Sequence, residues 1–315
     1  MNLEEHVTPA TVQAIYEHYK AKRKNEHRPH LGGSQIGNEC NRALWYQFRH
    51  MDAPEFEGRM LRLFETGDRE ESRIVDNLRA VGVTVWEKDP DTGKQIRFTA
   101  CDGHFALSLD GVGQGFKESS QPHILEFKTM SEKNFRAMEK DGLEKSKPVY
   151  WAQCQIGMHL ADIDRCAFIA INKNTDEIYL ERVKRDLAAG LALIAKAEAI
   201  IFTDKPPAKL NTDPSFYLCR FCDFKHVCHQ GKPPLVNCRT CAHSTPERGG
   251  DGAWSCAMGQ PFGKVCGKHI FNPYAMDWEA HDAGPDWVEY MTVDGEIIRN
   301  ADGNSEKIAA DWVPF

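Results

Sequence analysis

Three residues carry the clearest chemistry in this sequence: Asp110 in 108-SLDG-111, then Glu126 and Lys128 in 125-LEFKT-129. Carboxylate oxygens are the hard ligands that Mg or Mn binds, and two of them on neighbouring strands can hold one such cation. Lys128 projects from the same strand face as Glu126, because side chains on a strand alternate with period two. There its ammonium can stabilise or orient an attacking hydroxide, so the trio reads as a layout for phosphodiester hydrolysis. Leu125 and Phe127 then face the other side of the sheet, into the core. By itself an E-x-K triplet is more often a solvated strand face. Here it follows the strand-terminal Asp110-Gly111 and precedes a helix carrying Tyr150, Gln153 and Gln155.

Cysteine is the second chemistry-bearing residue type. Seven of the 11 cysteines crowd into residues 219–266, and clusters of this kind in a reducing compartment bind metal more often than they form disulfides. Cys219, Cys222 and Cys228 have the spacing C-x2-C-x5-C, three ligands that leave a tetrahedral or cubane site one short. Cys238, Cys241, Cys256 and Cys266 supply four thiolates in a short stretch and resemble a zinc ribbon, with His243 and His269 able to replace one cysteine. Cys101, Cys154 and Cys166 lie among apolar neighbours and read as packing residues.

To position these groups the chain needs a sheet and covering helices. Residues 3–24 read as an amphipathic helix ending in the basic run 20-KAKRK-24. Residues 31–48 read as a Gly-bounded turn, with Ser34 as a cap, entering a second helix. Residues 58–80 have helical periodicity closed by Gly82. Runs at 83–87, 95–100, 105–112 and 123–129, separated by turn clusters, predict an antiparallel meander. Helices follow at 131–142 and 148–161, strands at 166–173 and 177–183, and a last helix at about 186–202. This order predicts an α/β fold, one mixed β-sheet flanked by helices. Beyond Pro206 the composition turns to Cys, Gly, Pro and Asp, and Asp294-Gly295 inside 286–299 marks a hairpin.

Hydrophobic content of 41%, charged content of 27% and the lack of a membrane-length apolar run are those of a soluble protein. The acidic N-terminus argues against a signal peptide, so the cytoplasm of a bacterial or phage-infected cell is expected. A net charge of -7 does not suit an indiscriminate nucleic-acid coat, yet leaves room for a local basic groove.

Across about residues 31–228 the chain resembles the PD-(D/E)XK nuclease superfamily, notably its RecB-like, YqaJ-like and CRISPR-adaptation exonuclease branches. The resemblance rests on Asp110, Glu126, Lys128 and the Gln-bearing helix 150-YWAQCQIGMHL-160. It implies a restriction-endonuclease-like fold and an exonuclease acting on DNA ends with Mg or Mn. It further implies an acidic metal ligand on the first core helix, Glu71 in 67-GDREE-71 with Glu70 as competitor, and places Gln153, Gln155 and Tyr150 near the metal or the DNA backbone. The Phe127 carbonyl is a further ligand. His159 stands where the RecB-like pattern often has Tyr, and is either part of the site or a packed histidine.

A Cys followed by Arg near the N-terminus, paired with a distant C-x2-C-x5-C, is similar to the iron-sulfur staple of the CRISPR-adaptation and AddB-type nucleases. That likeness implies Cys40 as fourth ligand of a 4Fe-4S cluster, zinc being the alternative. Five segments are expected on this reading: an N-terminal helical segment (1–57) contributing one cluster cysteine, a nuclease core (58–205), an iron-sulfur segment (206–232), a zinc-ribbon-like segment (233–270) and a tail with a hairpin (271–315). DNA is the expected partner, with a recombinase or annealing protein or a helicase beside it; no membrane is expected, and an oligomer is compatible with the fold. Two other readings stand: a non-cleaving DNA-binding module, and an iron-sulfur electron carrier, which has no need of an Asp, Glu, Lys cluster.

Overall fold

The structure is a computed structural model and describes residues 8–23, 27–53, 55–291 and 295–312. Helix α1 (Ala10–Lys22) is followed by the short strand β1 (Leu31–Gly32), a 3-10 turn over Gly33–Gln35 and helix α2 (Asn41–Phe48). Helix α3 (Gly58–Ala80) leads into β2 (Thr84–Trp86), β3 (Arg97–Ala100), β4 (Phe105–Ser108), β5 (Gly111–Gln114) and β6 (His123–Met130). Helices α4 (Glu132–Ser146) and α5 (Pro148–Ala161) separate β6 from β7 (Arg165–Asn172), after which come β8 (Ile178–Lys184) and α6 (Leu187–Ile201). The remainder holds α7 (Tyr217–Arg220), α8 (Lys225–His229), β9 (Ser244–Pro246), β10 (Trp254–Cys256), β11 (Ala280–Gly284), β12 (Trp287–Met291), β13 (Ile297–Ala301) and α9 (Ser305–Asp311). No helix among the described residues is long and apolar enough to cross a membrane.

The main sheet has the order β2-β5-β6-β7-β8. Its pairs are antiparallel except β6 with β7, which run parallel from Ile124↔Cys166 to Met130↔Asn172. A parallel pair needs a long crossover, and α4 and α5 supply it. Both central strands are buried over most of their length, which explains why they read as near-continuous apolar runs. Period-two alternation divides β6: Leu125 and Phe127 pack with Ile74, Val75 and Leu78 of α3, whereas Ile124 and Met130 belong to the larger core shared with α4 and α5.

The meander expected over 83–129 is divided between two sheets. The run 105–112 breaks at Asp110: β4 joins β3 and, in parallel, β1 in a three-stranded sheet, while β5 enters the main one. Gly111 allows this switch, since a Cβ there would stand 2.9 Å from the Trp86 carbonyl and 3.3 Å from Leu125. The helix expected to end at 142 does break there, since Gly142 is non-helical with φ +75°, and a separate short helical turn carries α4 on to Ser146. Ser34 makes no capping bond to the 3-10 turn. Residues 3–7 and Lys24 of the first expected helix, and Asp294 of the expected hairpin turn, lie outside the described residues. Strands β12 and β13 pair antiparallel from Trp287↔Ala301 to Met291↔Ile297, with β11 as an additional neighbour.

The Cys-rich region docks on the α/β core through two buried arginines. Arg49 of α2 donates to the Thr203 carbonyl at 3.2 Å and pairs with Asp204 at 3.4 Å. Arg239 donates to the carbonyls of Phe48 at 2.8 Å and Pro29 at 2.6 Å. Both guanidiniums lie over the ring of Trp254, at 5.2 and 4.8 Å, and Trp254 also packs against Phe48 and stacks on Phe262. Trp254→Ala leaves these cations and rings without their common surface and should lower unfolding stability by about 3–5 kcal/mol in urea titrations. A loss under 1 kcal/mol would mean that the hairpin contributes little to docking.

Candidate active site

Asp110 occupies the switch between β4 and β5, beside β6. Its Oδ2 accepts the Phe127 backbone N–H at 2.7 Å, which holds the carboxylate against the strand bearing Glu126. Glu126 is 3% exposed. One of its oxygens takes the ammonium of Lys128, and the other accepts the side-chain amide of Gln153 on α5 at 2.8 Å. Lys128 also donates to the Phe127 carbonyl at 3.1 Å, so that carbonyl faces the same space. The ring of Tyr150 lies 5.4 Å from the ammonium and is itself stacked on Phe168.

Electrostatics places Glu71 of α3 in the same group. Burial, and then the charge of Asp110, push its carboxyl up to about 7, with Lys128 opposing. Burial pushes Glu126 up to about 7 as well, against the pull of Lys128. Asp110 is raised by burial, against Lys128 and the Phe127 amide. Burial disfavours the charged form of Lys128, but Glu126 and Asp110 outweigh it and its pKa rises. Three carboxylates gathered near one ammonium resist ionisation, because burial and their mutual charge disfavour the ionised form.

Glu70 is turned to Arg73 at 3.3 Å. Gln155 makes its hydrogen bonds elsewhere, donating to the Lys184 carbonyl at 3.0 Å and accepting from the Asp186 N–H at 2.8 Å, where it ties β8 to the start of α6. The structure does not bring it to the carboxylates. His159 packs against Gly190 of α6, close enough that a Cβ there would stand 2.8 Å from the histidine. Asp68, one turn before Glu71, contributes negative charge to the group and was not singled out from the sequence. Its i,i+3 spacing from Glu71 was the available signal.

None of the eleven cysteines forms a disulfide. Cys40, the N-cap of α2, lines one cavity of about 670 Å3 together with Cys219, Cys222 and Cys228. The N–H of Ala43 donates to the Cys40 sulfur at 3.4 Å, and the Phe224 N–H points at Cys222. Cys238, Cys241, Cys256 and Cys266 line a second cavity of about 20 Å3. Gly263 donates its N–H to the Cys238 sulfur at 3.3 Å, and the amides of His243 and Ile270 point at Cys241. At Cys222 and Cys241 burial outweighs these amides and pushes the thiols up from their ordinary value. His269 is committed to Ser305 at 2.7 Å and the Asn237 carbonyl at 3.0 Å, which removes it as a substitute ligand. Among the described residues no three or more His, Cys, Asp or Glu side chains stand in an arrangement that could hold a metal ion.

No family model matches the chain, and no curated protein matches it. Among solved structures, the alkaline exonuclease LHK-Exo from Laribacter hongkongensis superposes with a TM-score of 0.40 at 16% identity, over 58% of this chain and 90% of that one. Its complex with dAMP gives 0.39 at 15%, over 60% and 90%. The structure described as SSO0001 gives 0.40 at 14%, over 69% and 93%. Overlaps of this size assign nothing to the chain.

The raised carboxyls make stability depend on pH. Folded Glu71 and Glu126 hold protons up to about 7, against an ordinary value of 4.5. The folded chain therefore binds more protons in that interval, and the stabilisation, complete below 4.5, is lost as pH rises to 7. In EDTA the melting temperature should fall across this window, and Mn should restore more at pH 7.5 than at 5.5. Glu126→Gln should make the fall shallower and leave the share carried by Glu71, and an unchanged fall would remove Glu126 as a source.

Proposed function

We propose that this chain is a Mg- or Mn-dependent deoxyribonuclease of the PD-(D/E)XK type, with a restriction-endonuclease-like core, acting as an exonuclease on DNA ends. The observation that carries the reading is the gathering of Glu71, Asp110 and Glu126, from α3, the β4–β5 switch and the middle of β6, about the ammonium of Lys128. Glu71, Asp110, Glu126 and the Phe127 carbonyl would hold the cation. A bound Mg or Mn supplies Lewis-acid activation of the scissile phosphate and of water.

The remaining work falls to the chain's own groups. Gln153 fixes one Glu126 oxygen at 2.8 Å, so the carboxylate keeps its orientation when its charge is used. Lys128, which now neutralises Glu126, becomes available to donate to the attacking oxygen or the phosphate once Glu126 has another counter-charge. Tyr150 limits where that ammonium can move. The exonuclease form, and a place in recombination, repair or phage DNA processing beside an annealing protein or helicase, rest on the sequence resemblance.

The two cysteine sites are read as different metals by the sequence resemblance of the first set and the zinc-ribbon-like spacing of the second. A cavity of about 670 Å3 has room for a 4Fe-4S cluster on Cys40, Cys219, Cys222 and Cys228. About 20 Å3 admits little more than one water-sized particle, and is assigned a single zinc on Cys238, Cys241, Cys256 and Cys266. Anaerobically purified protein should contain about four iron and one zinc per chain. Cys40→Ala should lose the iron and keep the zinc, and Cys256→Ala the reverse. Zinc in both sites would remove the iron-sulfur assignment.

Cleavage is tested with Mn on end-labelled linear DNA and closed circular DNA. Wild type should degrade only the linear substrate, with Glu126→Gln and Lys128→Ala each at least about 100-fold slower. If wild type carrying its metals cuts neither DNA, catalysis is excluded and a non-cleaving DNA-binding module becomes the better account.

A further inference from the structure

The larger cavity is lined by more than thiols. Arg23, Arg28, Arg42 and Lys225 project into it. Arg42 is anchored by the Tyr46 hydroxyl at 2.8 Å and the Pro207 carbonyl at 3.0 Å, both neutral. The buried Nη1 of Arg23 has no hydrogen-bond partner among the described residues. Of the carboxylates on the wall, Asp52 is already paired with Lys232 at 2.8 Å, leaving Asp223 against four cations. At the rim stand two large aromatic rings with little covering them: Tyr217 is 61% exposed and Phe221 80%. Such exposure of big rings beside concentrated positive charge is unusual for a surface that meets only water.

One wall of the cavity packs on α5, the helix that carries Tyr150 and Gln153. Gln35 and Asn38, on its wall, belong to a loop that presses on α5 so closely that a Cβ at Gly37 would stand 2.8 Å from Val149 Cα and from Ala152. Those two residues flank Tyr150 and alternate with Gln153 on the first turns of α5.

We propose that this face takes single-stranded DNA, with phosphates on Arg23, Arg28, Arg42 and Lys225 and unpaired bases stacked on Tyr217 and Phe221. The ring surface left exposed by Arg220 over Phe221, at 5.5 Å, and by Phe216 beside Tyr217, at 4.8 Å, selects an unpaired strand because duplex bases have their own faces covered by neighbours. The neighbouring α5 loop then makes this face an approach by which one strand of an opened end reaches the carboxylates. The inference rests on the nuclease reading only for the choice of DNA as the polymer.

The test is fluorescence anisotropy of the full-length, metal-loaded chain with labelled oligothymidylate and a blunt duplex of equal length, in Glu126→Gln background with Ca in place of Mn so that nothing is cut. Tyr217→Ala and Phe221→Ala should each weaken single-strand binding by between about 5-fold and 150-fold, with duplex binding changed far less and Phe221→Trp restoring affinity. Both positions are exposed, and unchanged melting temperatures would exclude misfolding. Unaltered single-strand affinity in both variants, an equal loss on duplex, or tighter binding of an RNA oligomer would overturn the proposal. Strand binding without cleavage by wild type would instead leave this face intact and remove the nuclease reading, so the two fail separately.

Discussion

Glu126 is a carboxylate 3% exposed, near the centre of a sheet covered on both faces, and the arrangement around it answers the cost of that burial. An isolated buried charge of this sort would stay protonated at neutral pH. Lys128 neutralises one oxygen and Gln153 satisfies the other, while Asp110 and Glu71 push in the opposite direction by adding negative charge. The balance holds the ionisation of Glu126 up to about 7, burial and the neighbouring carboxylates outweighing Lys128.

Holding that balance requires rigid surroundings, and the parallel β6–β7 pair provides them. Seven residue pairs run in register from Ile124 to Met130, with α3 on one face and α4 and α5 on the other. The crossover that a parallel pair demands is also what delivers α5, so the constraint that sets the topology brings Gln153 and Tyr150 to the carboxylates. On another side of α5, two residues on from Gln153, Gln155 accepts the Asp186 N–H at the start of α6. Neighbouring residues of one helix thus divide between the site and the frame.

The C-terminal third is fastened to this frame rather than appended to it. Trp254 lies against both Arg49 and Arg239, whose charges are met by carbonyls from four separate stretches of chain. Arg49 feels this burial strongly enough that its pKa is pushed down to about 10. Phe224, Val227 and Trp254 belong to the same core as Trp45 and Phe168. As a result the four cysteines of the larger cavity, one of them on α2 and three beyond residue 218, are brought to one wall before any metal is considered.

Local periodicity was legible in the sequence. Alternation along β6 determined that Glu126 and Lys128 share one face and Leu125 and Phe127 the other, because that geometry repeats every two residues regardless of partners. Gly82 after α3 and Pro148 at the start of α5 marked helix boundaries through backbone conformation, which is equally local. Only the tertiary structure decided that the 105–112 run divides at Asp110 between two sheets, since a strand's neighbours are chosen by hydrogen bonds to distant residues. It also decided between Gln153 and Gln155: two positions on a helix differ by about 200°, and packing alone says which side meets β6. The same holds for Glu71 over Glu70, for the commitment of His269 to Ser305, and for the arginine–tryptophan contacts, each of which depends on groups tens to hundreds of residues apart in the chain meeting in space.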